Sequence, residues 1–131
     1  MADTPFYFSN QLNDDMEKKK VAFISHPLKG DLEGNTNKVK QICRSLINDG
    51  VIPLATHMLF PSFLDDNIPE ERETGMKATL ELLSRSDEVW VYGDRISEGM
   101  KREIELAKNL NIPVVYKSDK LNELNEKKRR N

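Results

Sequence analysis

Cysteine and long apolar runs are scarce in this sequence. Cys43 is the one cysteine among 131 residues, so no disulfide can form within the chain, which favours a reducing compartment. It lies on the apolar face of a predicted helix, which favours packing over thiol reactivity. No apolar run approaches the length of a membrane span, and the N-terminus shows no apolar signal-peptide core. We therefore expect a cytoplasmic protein without membrane contact.

An excess of charge of one sign is also lacking. The chain has 20 Lys and Arg against 22 Asp and Glu, a net charge of −2, which gives no electrostatic reason to expect nucleic-acid binding. Its six glycines form neither a G-x-G-x-x-G nor a Walker pattern, which counts against an ordinary dinucleotide or nucleoside-triphosphate site. The two histidines, His26 and His57, lack a third ligand and a metal-site spacing. We expect no metal and no other cofactor.

The length suits a single domain. We predict a flexible N-terminal arm over residues 1–20, an α/β domain over 21–117 and a charged tail over 118–131. The arm carries three aromatic residues, Phe6, Tyr7 and Phe8, which either remain mobile or dock on a neighbouring subunit. The basic cluster of the tail, Lys127 to Arg130, is expected to be solvated.

Short apolar runs and the helical spacing of apolar residues predict the fold of the central domain. Four short apolar runs predict buried strands at Val21–Ser25, Val51–Ala55, Val89–Tyr92 and after Pro113. Helical spacing predicts helices from Asn35 or Thr36 to Asn48, from Ile68 to Arg85 and from Gly99 to Asn111. Pro53 is tolerable only in an edge strand. The expected architecture is a three-layer, Rossmann-like or flavodoxin-like α/β fold, with a parallel sheet in the order 2-1-3-4 and helices on both faces.

Two stretches between these elements are candidates for function. Ligands of such sheets bind outside the carboxyl ends of the strands, so residues 26–34 and 93–100 are expected to flank a crevice between strands one and three. Residues 56–67 are predicted to form a long loop that is unusually rich in large apolar side chains. That loop either packs under the domain, lines a ligand pocket or forms a subunit contact.

The same stretches carry the motifs of a known family. The first loop has Ser25-His26-Pro27-Leu28-Lys29-Gly30, and the third helix has Gly99-Met100-Lys101-Arg102-Glu103-Ile104 followed by Ala107. Further segments are Leu54-Ala55-Thr56-His57, Phe60-Pro61, Phe63-Leu64-Asp65, Glu71-Arg72, Asp87-Glu88-Val89-Trp90 and Gly93-Asp94-Arg95-Ile96-Ser97-Glu98. Through these, residues 21–116 resemble the nucleoside 2-deoxyribosyltransferase-like fold family, and more closely its small phage and bacterial members of uncharacterised function.

The resemblance implies a catalytic carboxylate. In the characterised transferases, a glutamate four residues after a loop glycine attacks the anomeric carbon of a 2-deoxyribonucleoside, expels the base and holds a covalent glycosyl intermediate. Glu103, four residues after Gly99, occupies that place. A carboxylate suits this step because it can attack an oxocarbenium-like centre and later leave. Asp94 matches the loop aspartate that assists at the base.

The resemblance also implies how a nucleoside or nucleotide would be held. The expected ligand-contacting residues are Ser25, His26, Pro27, Gly30, His57, Ser97, Gly99 and Met100. Lys29 and Arg72 add positive charge, so a nucleoside 5′-monophosphate is expected to fit better than a bare nucleoside. Relatives commonly complete their sites from a neighbouring subunit. We therefore expect at least a homodimer, with residues 58–64 in the interface.

Other interpretations remain open. The first loop has Ser25-His26-Pro27 where the enzymes usually offer a Tyr and an Ala-Gly-Pro run. A non-catalytic nucleotide-binding or sequestering module is therefore the alternative to an N-glycosidase or a deoxyribosyltransferase. A small oligomeric scaffold with a vestigial crevice is a third interpretation. Glu103 also stands early in a helix, where any acid stabilises the helix dipole.

Overall fold

The structure is a computed structural model that describes residues 19–117. The predicted tail and all but the last two residues of the predicted arm lie outside the described residues. The strands are β1 (Val21–Ser25), β2 (Ile52–Leu54), β3 (Glu88–Val91) and β4 (Val114–Tyr116). The helices are α1 (Leu32–Asn48), α2 (Thr56–Leu59), α3 (Pro69–Ser84) and α4 (Glu98–Asn109), with a 3₁₀ turn at Phe60–Ser62.

The four strands form one parallel sheet in the order β2-β1-β3-β4, as predicted. Ala22 pairs with Pro53 on one side and with Glu88 on the other, so β1 is central. Pro53 has no backbone N–H to donate, and it lies in the edge strand β2, where one side of the strand has no partner strand. The carboxyl ends of all four strands therefore meet at one edge of the sheet.

Helices cover both faces of the sheet because the side chains of β1 alternate in direction. Ala22 and Ile24 pack with Leu46 of α1 and with Trp90. Phe23 faces the other way, into a cluster that contains Leu83 of α3 and three residues of α4, Met100, Ile104 and Ala107. Cys43 packs against the cluster on the α1 side, and burial raises the pKa of its thiol. The predicted three-layer arrangement is confirmed.

The start of α1 differs from the prediction. The helix begins at Leu32, capped by Asp31, whose carboxylate accepts a hydrogen bond from the Gly34 backbone N at 3.0 Å. Asn35, a predicted cap, instead donates its side-chain amide to the Leu28 carbonyl at 3.0 Å. Aspartate is at least as good an N-cap as asparagine, and its charge suits the positive end of the helix. The observed cap lies four residues before Asn35, so the helix is longer than predicted by slightly more than one turn.

The predicted loop of residues 56–67 is partly helical. It contains α2 and the 3₁₀ turn, and only residues 63–68 connect them to α3 without regular structure. Several large apolar side chains here are exposed, including Leu59 at 47% and Phe63 at 63%. Ile47 on α1 and Met76 on α3 are also exposed, at 58% and 38%. Leu59 and Phe63 thus leave apolar surface uncovered at the end of α2 and just after it.

Residues at the helix ends behave as their chemistry predicts. Pro69 opens α3 with Glu70 and Glu71 in the first turn, where proline and acids are favoured. Past the ends of α1 and α4, Gly50 and Asn111 adopt positive φ angles of 82° and 59°. Among the helices of residues 19–117, none combines the length and the apolar character that crossing a membrane requires.

Candidate functional site

Polar residues from three elements meet where the parallel strands end. β1 ends at Ser25 and continues into His26, β2 leads into Thr56 and His57, and β3 leads into the loop that contains Asp94. This edge of a parallel sheet is where open α/β folds bind ligands. The sheet order places β1 and β3 side by side, so the loops that follow these two strands are neighbours.

A hydrogen bond between side chains joins Ser25 and Glu103 in this region. The Ser25 hydroxyl donates a hydrogen bond to Glu103 Oε1 at 2.8 Å, across 78 positions of sequence. Ser25 is 1% exposed and follows Phe23 on the face of β1 that α4 covers. Glu103 lies in α4 beside Ile104, which belongs to the buried face of the helix. The two residues lie together because β1 and α4 pack against one another.

The Glu103 carboxyl titrates near neutral pH. Burial raises its pKa from 4.5 to about 7, while the hydrogen bond from Ser25 and the charge of Arg102 act in the opposite direction. Burial dominates because moving a carboxylate out of water disfavours its charged form. A carboxyl group with such a pKa can exchange a proton at neutral pH or attack as a carboxylate. Perturbed carboxyls of this kind are concentrated at functional sites.

His26 follows Ser25 in the chain and is also buried. Its Nδ1 lies 2.6 Å from the Pro27 carbonyl oxygen, which requires a hydrogen on Nδ1 and leaves Nε2 as an acceptor in the neutral ring. Burial lowers the pKa of His26, the Pro27 carbonyl raises it, Lys38 lowers it and Asp94 raises it. The structure therefore brings Asp94 into the electrostatic environment of His26.

His57 lies in α2 and is also neutral at ordinary pH. Burial, followed by the charge of His26, lowers its pKa to about 4. His57 Nε2 and the hydroxyl of its neighbour Thr56 are both buried, and neither has a hydrogen-bond partner among residues 19–117. Unpaired buried polar atoms are costly and uncommon, so these two atoms are candidates for ligand contacts.

Two contacts fix the β1 and β3 loops against one another. Gly93 has a φ of 95°, and a Cβ atom there would lie 2.6 Å from Pro27 Cδ, so only glycine allows this approach. The Arg95 guanidinium donates to the Lys29 carbonyl, which ties the β3 loop to the β1 loop. Sequence analysis missed both roles, because a glycine or an arginine in a loop carries no sign of its distant partner.

The remaining predicted residues of the β3 loop lie at the start of α4. Ser97 caps the helix by accepting a hydrogen bond from the Met100 backbone N at 3.3 Å. Met100 is buried in the core cluster, as a wall residue would be, while Asp94 and Gly99 are exposed. Asp94 and Ser97 thus lie in the same loop. This loop leads directly into α4, the helix that carries Glu103.

The two basic residues that were expected to contact the ligand, Lys29 and Arg72, are both exposed. Lys29 and Gly30 are exposed in the β1 loop, and Arg72 is exposed on α3. Arg102 of α4 acts electrostatically on Glu103, and its guanidinium contacts the Met76 sulfur at 3.9 Å. The contribution of Arg102 could have been expected from its position next to Glu103.

A cleft of about 510 Å³ lies elsewhere, lined by residues 61–66 and Glu71. It includes the exposed Phe63 but neither Ser25 nor Glu103. The Glu103 carboxyl and the three strand ends favour the other region. We place the candidate site at Glu103 because reactivity depends on the chemistry of the side chains. In residues 19–117, no cluster of three or more His, Cys, Asp or Glu side chains could hold a metal ion.

Comparisons with known proteins support the α/β fold described above. The chain belongs to a family of domains of unknown function, DUF7768, whose model matches residues 20–117. No curated protein matches the chain in sequence. Among solved structures it is similar to a 2-deoxyribosyltransferase from the psychrotolerant bacterium Bacillus psychrosaccharolyticus, with a TM-score of 0.64 and 18% identity over 75% of this chain and 72% of that one. At that identity the likeness establishes a shared fold.

Proposed function

We propose that this protein acts on the N-glycosidic bond of a nucleoside or nucleoside 5′-monophosphate, with Glu103 as the nucleophile. The observation that carries the proposal is the buried Glu103 carboxyl, hydrogen-bonded to Ser25 at 2.8 Å at the ligand-binding edge of the sheet. The similarity of the fold to a 2-deoxyribosyltransferase supports a nucleoside as the substrate class. A carboxylate suits the oxocarbenium-like transition state of glycosyl transfer.

The reaction would proceed in two displacements. A carboxylate oxygen of Glu103 forms a bond to the anomeric carbon while the bond from that carbon to the base nitrogen breaks. The base leaves with the bonding electrons and takes up a proton, for which Asp94 is the candidate donor or orienting group. Water or a second base then attacks the anomeric carbon and releases the Glu103 carboxylate. Water gives hydrolysis and a second base gives transfer.

The other predicted residues would bind the substrate. The β1 loop, with His26, Pro27 and Gly30, would line the sugar, and Ser97 and the Gly99 backbone would hold ribose or phosphate. Lys29 is exposed in the same loop, which supports a 5′-monophosphate over a bare nucleoside. Because Glu103 must be ionised to attack, the rate is expected to rise with pH through about 7.

Base release tests the proposal. The protein is incubated with the four deoxynucleosides and, separately, with their 5′-monophosphates, and free base is measured by chromatography. Glu103→Gln and Glu103→Ala should lower the rate by at least about a hundredfold, since a nucleophile is removed. Glu105→Gln is the matched control, because Glu105 is exposed on the same helix. Wild-type rates in a clean Glu103→Ala preparation would refute the mechanism.

A non-catalytic nucleotide-binding module is the second candidate. It is favoured by the raised pKa of Glu103, which leaves much of this carboxyl protonated near pH 7, and by the exposure of Asp94. Calorimetric titration with a deoxynucleoside monophosphate separates the two candidates. Tight binding of a nucleotide that is recovered intact supports the module, whereas base release supports the enzyme.

We also propose that the protein forms a homodimer through the surface around α2. Four large apolar side chains between α2 and the middle of α3 are exposed between 38% and 63%: Leu59, Phe63, Ile68 and Met76. Apolar surface of this kind is typical of the core of a homodimer interface.

A further inference from the structure

Ser25 has an unusually constrained environment for a residue at a strand end. Its side chain is 1% exposed, so a bound ligand would have little access to it. Its backbone carbonyl accepts a hydrogen bond from the Tyr92 backbone N at 2.9 Å, and it pairs with Val91 in the sheet. The residue is therefore held by the rigid centre of the sheet, and its hydroxyl points at Glu103.

The hydroxyl has one hydrogen to donate. Because that hydrogen goes to Glu103 Oε1 at 2.8 Å, it is not available to a sugar hydroxyl. Ser25 was expected to line the sugar site, together with the rest of its loop. Its burial and its hydrogen bond favour a different role, in which Ser25 acts through Glu103.

We propose that Ser25 is a positioning residue that engages Oε1 of Glu103 and so presents Oε2 as the attacking oxygen. The inference rests on the proposed glycosidic function, and it names a residue on which that function depends. A carboxylate has two equivalent oxygens, and a strong donor on one of them fixes both the rotamer of the side chain and the oxygen that remains free. The sheet supplies the rigid support that such positioning requires.

The same hydrogen bond serves every stage of the reaction. Before attack, it stabilises the ionised carboxylate against the effect of burial. When Oε2 bonds to the anomeric carbon and the base departs, Oε1 becomes the carbonyl oxygen of the glycosyl ester and still accepts from Ser25. When water or a second base breaks the bond between the anomeric carbon and Oε2, the electron pair returns to a carboxylate that Ser25 again stabilises. The serine proton is never transferred.

The test compares variants at Ser25. Ser25→Ala removes the donor, and Ser25→Cys keeps the approximate shape with a weak donor. Both should lower kcat by roughly 10- to 100-fold with little change in KM, and move the acid limb of the pH profile to higher pH by roughly one unit, since a hydrogen bond to a charged group is lost. Ser25→Thr keeps the hydroxyl and should restore both properties towards wild type.

Two further measurements separate positioning from a general loss of structure. Ser86→Ala is the control, because Ser86 is a buried serine whose hydroxyl donates to the Leu82 carbonyl at 3.1 Å, and its removal should leave the pH profile unchanged. The titration of Glu103 can also be followed by carbon NMR of its carboxyl, which requires no turnover. Ser25→Ala should move that titration to higher pH.

The outcomes distinguish this inference from the proposed function. If the wild-type protein releases base, while Ser25→Ala changes neither the acid limb nor the Glu103 titration, the role of Ser25 is refuted and the proposed function stands. If Ser25→Ala moves the Glu103 titration but neither protein releases base, the control of Glu103 by Ser25 is supported and the glycosidic function is refuted.

Discussion

Replacing Glu103 by glutamine should stabilise the folded protein at neutral and alkaline pH. Burial raises the pKa of Glu103 from 4.5 to about 7, so between these values the folded state retains a proton that the unfolded state has lost. The free energy of unfolding therefore falls as pH rises through this interval. The contribution of the protonated group is fully present below pH 4.5 and is lost above about pH 7. Glutamine is neutral throughout and avoids this loss.

The size of the effect follows from the two pKa values. The interval from 4.5 to about 7 corresponds to about 3 kcal/mol, since each pKa unit is worth about 1.4 kcal/mol. The difference in unfolding free energy between Glu103→Gln and wild type should therefore grow by about 3 kcal/mol across this range. Ser25 can still donate to the amide oxygen of glutamine, so the local packing is largely kept.

Urea unfolding at a series of pH values measures this difference. Titrations of all other groups, including His57, occur in both proteins and cancel in the comparison. Glu105→Gln, on the same helix but exposed, should show a nearly constant difference from wild type. A constant difference for Glu103→Gln as well would show that the carboxyl is not held neutral by burial, and the account of the site would be wrong. A buried group that lowers stability is expected where function requires it.

Three further predictions concern other parts of the domain. Burial lowers the pKa of His57 from 6.5 to about 4, so the free energy of unfolding falls as pH drops through this interval. In urea unfolding, His57→Gln should reduce that fall by about 3 kcal/mol. Gly93→Ala should destabilise the folded protein by about 1–3 kcal/mol more than Gly50→Ala in urea unfolding. Both glycines have positive φ, but only a Cβ atom at position 93 would meet the Pro27 ring, at 2.6 Å. Equal losses for the two variants would contradict this. Wild type should sediment as a dimer that Phe63→Asp dissociates, while Ile47→Asp, on α1, should not; a wild-type monomer would refute the proposed interface.

The sheet was predictable because its signals are local. The apolar runs of β1 and β3 are short, and the proline in β2 requires an edge. Once the order of elements is known, the handedness of parallel crossovers leaves few arrangements. The element ends were less accurate, since Asp31 and Asn35 are both good caps and only the packing of the β1 loop decided between them.

The candidate site was only partly predictable. The resemblance to a known family singled out Glu103. Its hydrogen-bond partner, Ser25, was expected to contact the sugar instead. Nothing in the spacing of Ser25 and Glu103, 78 positions apart, indicates that they form a hydrogen bond. The links from Gly93 to Pro27 and from Arg95 to Lys29 were equally hidden, because each depends on two loops approaching in space.

The sequence by itself thus determined the α/β architecture and the order of the strands, and its resemblance to a known family singled out Glu103 as the candidate nucleophile. Periodicity, capping and turn residues act within a few positions of the chain, and so they are visible in it. Only the tertiary structure decided the properties of that carboxylate. Its hydrogen bond to Ser25 and its pKa of about 7 arise from burial between β1 and α4, and burial exists only once distant segments have packed together.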